Sequence, residues 1–252
     1  MIGHVLLAAG GQTPTVTIPN YGGPPGGKHG CIARNGTFCW GWVQSHWGDI
    51  LQPRLLEHLE LTAIAVSIGF VIAFAAALLA HRQRWFETPF STFSAFLYTI
   101  PSLALFQLLV PFTGLTMLTI EIGLVGYTLL ILFRNVLIGL RSASPDVLEA
   151  ARGMGLTKLQ TLTRIELPLA VPAIAAGLRI AVVTTISLAT VAAYITPLGL
   201  GQPIFYGLQT NFTTEFVATG ALAIMLAIVA DGLLVIVQRS VTPWARARSA
   251  TA

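Results

Sequence analysis

From residue 59 onward, long apolar runs alternate with short polar breaks, at a period set by the thickness of a bilayer rather than by one face of a soluble helix. Five runs stand out, at about 59–80, 90–111, 119–140, 171–195 and 216–237. At a rise of about 1.5 Å per residue each is long enough to cross a hydrocarbon core of about 30 Å. The pattern predicts an all-α integral membrane protein with five spanning helices, the membrane domain covering residues 59–240. His81, Arg82 and Arg84 close the first span, and a turn near Gly114 leads to the third. Pro101 lies inside the second span, where it removes a backbone hydrogen bond and predicts a kinked helix whose freed carbonyl needs another partner. Residues 196–215, between the fourth and fifth spans, read as a loop.

Outside the spans the periodicity changes. Residues 1–37 are rich in Gly, Pro and Thr with no helical period, which predicts a loosely structured extension. Residues 38–58 set Trp40, Trp42 and Trp47 beside polar groups, as in a segment lying at the headgroup level. A cation-binding aromatic cage is the sharper alternative, but Pro53 and the uneven spacing give the rings no reason to converge. Residues 241–252 form a polar tail.

The longest polar interruption, residues 141–170, predicts two short helices. Ser144 can cap the first, with Pro145 in its first turn and Asp146 favouring the positive end of the helix dipole. Gly153 and Gly155 end it. Thr157 and Gln160 form a capping box for a second helix, expected to stop at Pro168. Val147, Leu148 and Ala151 give the first helix an apolar edge, and Ala150 and Ala151 keep part of its surface small. Such a helix-turn-helix suits docking into another protein's groove; an ordinary surface hairpin is the alternative.

Composition agrees with a chain living in lipid: 54% of residues are hydrophobic and only 10% charged. The net charge of +4 is spread over several loops, with no basic run or aromatic–basic alternation of the kind nucleic acid requires. It serves orientation instead. Arg82, Arg84, Arg141, Arg152, Lys158, Arg164, Arg239, Arg246 and Arg248 fall on one side of the spans, and Lys28, Arg34 and Arg54 on the other. The positive-inside rule makes the first side cytoplasmic, so the N-terminus is expected outside and the C-terminus in the cytoplasm. The stretch Ile2 to Ala9 is short and has no charged region before it, so no cleavable signal is expected. Cys31 and Cys39 then face an oxidising space, where a small loop disulfide is permitted, with free thiols as the alternative.

No catalytic constellation is present. The five histidines are scattered, and no Ser or Cys sits in a nucleophile-elbow sequence, so neither a metal site nor a catalytic residue is expected. Gly22 to Lys28 has the spacing of a phosphate loop, but His29 follows where Ser or Thr is required, and Pro24 and Pro25 deny it the strand and helix that motif needs. Thr184, Thr185, Ser187 and Thr190 are expected to hydrogen-bond neighbouring helices. Arg134, Arg179 and Asp231 lie in three different spans at a shared level, about 10 Å from the cytoplasmic ends. Such charges must face protein or water. Asp231 is expected to pair with Arg179 or Arg134, as a static pair or as part of an inner gate. Glu121, near the other end of the third span, is expected to be solvated.

The run Glu149-Ala150-Ala151, Gly155, Ile165, Leu167-Pro168 matches, in every fixed position, the EAA motif of the permease subunits of ABC importers. Beyond it, residues 98–105 (YTIPSLAL), 134–155 (RNVLIGLRSASPDVLEAARGMG) and 167–181 (LPLAVPAIAAGLRIA) resemble the branch that imports glycine betaine, carnitine or choline. The resemblance covers roughly residues 44–240. Where that family commonly has IGAGGLG after its fourth core helix, this chain has ITPLGLG at 195–201, which implies a stiffer outer gate.

The resemblance implies a five-helix permease core with a coupling helix-turn-helix. Glu149, Ala150, Ala151, Gly155 and Leu156 would form the coupling helix and its turn, and Ile165, Leu167 and Pro168 would anchor the return into the membrane. It also implies partners: two cytoplasmic ATPase subunits that carry the ATP and Mg, a second permease subunit that is a copy or a paralogue, and an extracytoplasmic solute-binding protein. The chain itself would bind no cofactor and catalyse nothing, while moving a small osmolyte inward by alternating access across the plasma or inner membrane. The alternatives are the same machine carrying an amino acid such as methionine and, from another class, an ion-coupled secondary transporter or channel.

Overall fold

The computed structural model describes Cys31 and residues 35–243, which fold as helices joined by short turns. The phosphate-loop spacing, most of the 1–37 extension, Lys28, Arg34, Arg246, Arg248 and nearly all of the tail lie outside the described residues. A short helix α1 (Trp40–Ser45) and a π-helical turn (Trp47–Leu51) lead into α2 (Gln52–Arg82). Then come α3 (Arg84–Thr99), α4 (Ser102–Thr113) and α5 (Met117–Leu140). The hairpin carries α6 (Pro145–Gly153), α7 (Lys158–Thr161) and a second π-helical turn (Leu162–Glu166). The chain continues through α8 (Leu167–Ala192), α9 (Gly201–Gln209) and α10 (Thr213–Val241). Four continuous helical stretches are long and apolar enough to span, and α3 with α4 makes a fifth, broken one.

Helix α5 is the axis of the bundle, packed by α2, α3, α4 and α8. Sequence explains how neighbours come so close. Ala65, Ala73, Ala76, Ala77 and Ala80 put a buried stripe of small side chains on α2, and the backbones of α5 and α8 nearly touch. A Cβ on Gly177 would stand 2.6 Å from the Cβ of Asn135, and one on Gly139 would stand 3.0 Å from the Cβ and carbonyl oxygen of Ala170. In a membrane this dispersion contact replaces the hydrophobic drive that water would supply. By contrast, the most apolar window of α10 has no residue buried within the chain, so that face meets lipid or another subunit.

Four expectations are corrected. Pro101 does not merely kink a helix: Ile100 and Pro101 are extended, with ψ of 130° and 135°, and the axes of α3 and α4 differ by 102°. A residue before proline is pushed out of the α region; at the break the Ile100 amide donates to the Leu97 carbonyl and the Tyr127 hydroxyl to the Ile100 carbonyl. The first spanning helix begins at Gln52 rather than Leu59. The helix after Thr157 does not stop at Pro168; it runs on from Lys158 to Ala192. Within the π turn the Leu167 amide reaches back five residues to the Leu162 carbonyl. This shift of register places Pro168 in the first turn of α8, where a missing N–H costs least. Finally, the expected loop after the fourth span holds α9, which lies against α10.

Candidate functional site

The hairpin between α5 and α8 is built by local chemistry. The Ser144 side chain accepts from the Val147 amide, with Pro145 in the first turn, and so starts α6. At the other end Gly155 takes φ of +78°. Its amide donates to the Arg152 carbonyl at 2.9 Å and the Leu156 amide to the Ala151 carbonyl at 3.1 Å, a paired closure that uses up the last carbonyls of the helix. Thr157 and Gln160 then cap each other: the Gln160 side chain accepts from the Thr157 amide at 2.8 Å, and Thr157 Oγ1 accepts from the Gln160 amide at 3.3 Å.

This folding divides the motif between two faces. Ala151 is fully buried, whereas Glu149, Ala150 and Gly155 are exposed. Leu156, Ile165, Leu167 and Pro168 are half-buried at the base. Val147 and Met154 are also exposed, Met154 at 72%. The exposed part of the hairpin thus carries small and apolar side chains and the Glu149 carboxylate, with Ala151 buried on the inner side.

Two side-chain contacts, neither signalled by spacing, fasten the root of the hairpin. His81 Nε2 at the end of α2 meets Glu166 Oε2 at 3.0 Å. Arg141 grips Glu87 with both guanidinium nitrogens, at 2.7 and 3.0 Å, joining the end of α5 to the start of α3. These contacts and the continuous backbone join the hairpin to α2, α3, α5 and α8.

Deeper in the bundle, Arg179 holds Asp231 in a two-pronged pair, Nε to Oδ1 at 2.8 Å and Nη2 to Oδ2 at 2.9 Å, which joins α8 to α10. Arg134 is exposed and stands outside this pair, so the three charges form a pair and a bystander rather than a cluster. Thr185 and Thr190 donate to carbonyls of their own helix, Ala181 at 2.7 Å and Ile186 at 3.1 Å, instead of crossing to neighbours. Glu121 is not solvated: α2 and α4 close over that end of α5 and leave it 8% exposed, with neither carboxyl oxygen hydrogen-bonded.

At the end of the bundle opposite the hairpin, sequence reasoning missed a cluster from the first turns of α2. Arg54 donates to Glu57 at 2.8 Å and to the Pro197 carbonyl at 3.2 Å, and Glu57 accepts from the Gly199 amide at 2.9 Å. The fully buried His58 accepts at Nδ1 from the Leu200 amide at 3.2 Å, which leaves its proton on Nε2 to donate to the Ile186 carbonyl at 3.0 Å. Gly199 has φ of +60°, and a Cβ there would lie 2.7 Å from His58 Nδ1. The signal was present as three polar residues at i, i+3 and i+4 where an apolar helix begins.

The N-terminal segment is stapled to the same end. Cys31 and Cys39 form a disulfide, with Cα atoms 5.8 Å apart, and the Cys39 amide donates to Thr214 Oγ1 at 3.1 Å. The tryptophans separate: Trp40 and Trp47 stay on the surface with Phe38, flanking an apolar hollow against α10, while Trp42 is buried, stacked on His46 and edge-on to Phe212. Among the described residues no group of three or more His, Cys, Asp or Glu is placed to hold a metal.

Comparison with known proteins places this architecture. The family model described as "Binding-protein-dependent transport system inner membrane component" matches residues 65–243. The chain is 32% identical over 203 residues to the glycine betaine/carnitine/choline transport system permease protein OpuCB of Bacillus subtilis, covering 80% of this chain and 93% of that one. It is 36% identical over 198 residues to the osmoprotectant import permease protein OsmW of Salmonella typhimurium, covering 77% and 92%. Its fold is similar to a chain of the MetNI methionine ABC transporter in inward-facing conformations, with a TM-score of 0.66, 22% identity, and 74% of this chain and 94% of that chain covered.

Proposed function

The chain belongs to the family of binding-protein-dependent transport system inner membrane components, and from that membership we propose that it is the permease subunit of an importer carrying a small zwitterionic or quaternary-ammonium osmolyte, such as glycine betaine, carnitine or choline. Relatives at 32% and 36% identity carry such names, and their likeness extends along more than nine tenths of their own length. Membership in this family implies a separate ATPase and a solute-binding protein as partners. In the proposed assembly two permease subunits, copies or paralogues, sit on two ATPases that hold the ATP and Mg. The hairpin and the arginines around it lie in the cytoplasm, and the N-terminus lies outside.

The observation that carries the coupling assignment is the division of the hairpin: Glu149 and Ala150 exposed on a face whose reverse, at Ala151, is fully buried. Closure of the ATPases moves residues 144–168. The His81–Glu166 and Glu87–Arg141 pairs pass that movement to α2 and α3, and the continuous backbone passes it to α5 and α8. Arg179 and Asp231 join α8 to α10 near the inner gate and keep the two helices moving together.

Co-purification with the ATPase tests this reading. Glu149→Lys and Gly155→Asp are expected to abolish ATPase capture and uptake while the spans still insert; retained capture with full uptake in both variants overturns the coupling role. Uptake of labelled glycine betaine or choline, competed with methionine, tests the cargo. A second reading, methionine, is favoured only by the fold likeness and predicts the reverse order of competition.

A further inference from the structure

Between the end of α2 and the hairpin lies a cavity of about 630 Å³, bordered by the His81–Glu166 contact, whose three cations have no part in the coupling mechanism. Arg82 from α2, Arg152 from α6 and Lys158 from α7 all line it, and none of the three forms an ion pair among the described residues. The one acidic side chain on its wall, Glu166, is already engaged by His81. The positive charge in the cavity is therefore uncompensated. Nor does local structure account for it. Lys158 stands at the first position of its helix, where the dipole disfavours a cation.

Leu148, Leu156, Leu159 and Leu162 add apolar surface to the lining, which His81 and Thr161 complete, and Leu159 is 60% exposed. The cavity thus combines basic and apolar lining at the level where α2 leaves its apolar span. It is also separate from the docking face: on α6 the cavity takes Leu148 and Arg152, four residues apart on one face, whereas Val147, Glu149, Ala150 and Met154 are not among its lining.

We infer that this cavity binds the headgroup of an anionic phospholipid of the cytoplasmic leaflet, the phosphate held by Arg82, Arg152 and Lys158 and the first part of an acyl chain lying on the leucines. Basic hollows beside spanning helices at the cytoplasmic boundary suit such headgroups, and each nearby cation strengthens the attraction. The lipid would act as a wedge between α2 and the hairpin that leaves the docking face free. The inference rests on the cytoplasmic placement of the hairpin proposed above, but not on the cargo.

Native mass spectrometry of the purified permease–ATPase complex tests it, with phosphatidylglycerol or phosphatidylcholine titrated as the probe. The unaltered complex should retain phosphatidylglycerol in preference, and Arg82→Gln/Lys158→Gln should reduce that preference about thirtyfold, about 1 kcal/mol for each cation. The Arg84→Gln/Arg164→Gln pair removes the same charge outside the cavity and should leave the preference unchanged. Equal loss in both pairs, or in neither, overturns the site. Displacement of the lipid by inorganic phosphate at equal concentration overturns the lipid assignment and leaves a free-anion site. Capture of the ATPase by the cavity variant reports that its hairpin is folded; loss of capture with an unchanged lipid preference overturns the separation of the two faces. Failure of osmolyte uptake with intact lipid preference strikes the functional reading instead.

Discussion

Two turns of this protein meet the same demand, satisfying backbone groups where a helix ends, in opposite ways. At 196–200 the amides of Gly199 and Leu200 and the carbonyl of Pro197 are taken by side chains of a distant helix, Arg54, Glu57 and the fully buried His58. The hairpin at 144–168 takes its caps from itself, through Ser144, the Gly155 turn and the Thr157–Gln160 box. The first arrangement ties the turn to α2 and α8 as one body. The second leaves the hairpin complete in its own caps, with Ala151 and Leu162 packed inward and two side-chain contacts, His81–Glu166 and Arg141–Glu87, fastening its root. On the proposed coupling role, a part that takes a push from a partner needs internal rigidity, which local caps supply; the turn at 196–200 is instead held by its neighbours.

The largest effect should come from His58→Leu, which keeps bulk but strands the Leu200 amide and the Ile186 carbonyl in the interior. A loss of about 3 kcal/mol is expected, read as thermal unfolding in detergent, with ATPase capture unchanged at temperatures where the protein is folded. If capture fell first, the two ends would not be separable as described. Gly199→Ala should cost about 2 kcal/mol, since the new methyl meets His58 and the backbone keeps its positive φ. At the hairpin, Thr157→Ala should remove about 1 kcal/mol of local stability, seen as faster amide exchange over 158–161 rather than as a lower unfolding temperature. The smallest change is expected from Glu87→Gln, about 0.5 kcal/mol for a partly exposed pair, but with a measurable loss of uptake per ATP hydrolysed. Unchanged coupling in that variant would remove α3 from the path of the movement.

The hairpin was the most legible part of the chain because its structure is local. Ser144, Pro145, Gly155, Thr157 and Gln160 act on neighbours within a few residues, so their spacing specifies their contacts. The stop at Pro168 failed for a related reason: proline forbids one hydrogen bond, and a single π turn removes the need for that bond. Glu121 and Trp42 could not be placed from the sequence. Glu121 sits near a span end and Trp42 in the segment before the first span, where headgroup exposure is the ordinary expectation, and only the packing of α2 and α4 over α5, and of α1 over α10, buries them.

By itself the sequence determined the membrane class, the number of spans and the hairpin with its capping residues, since these depend on apolar run length and on chemistry within one or two helical turns. The tertiary structure alone decided that Asp231 takes Arg179 and not Arg134, that α3 and α4 part at Pro101, and that His58 holds the turn at Leu200. Those choices join residues 52, 27 and 142 positions apart. No periodicity records them, because each depends on which helix faces pack together once the small residues of α2, α5 and α8 have let the backbones meet.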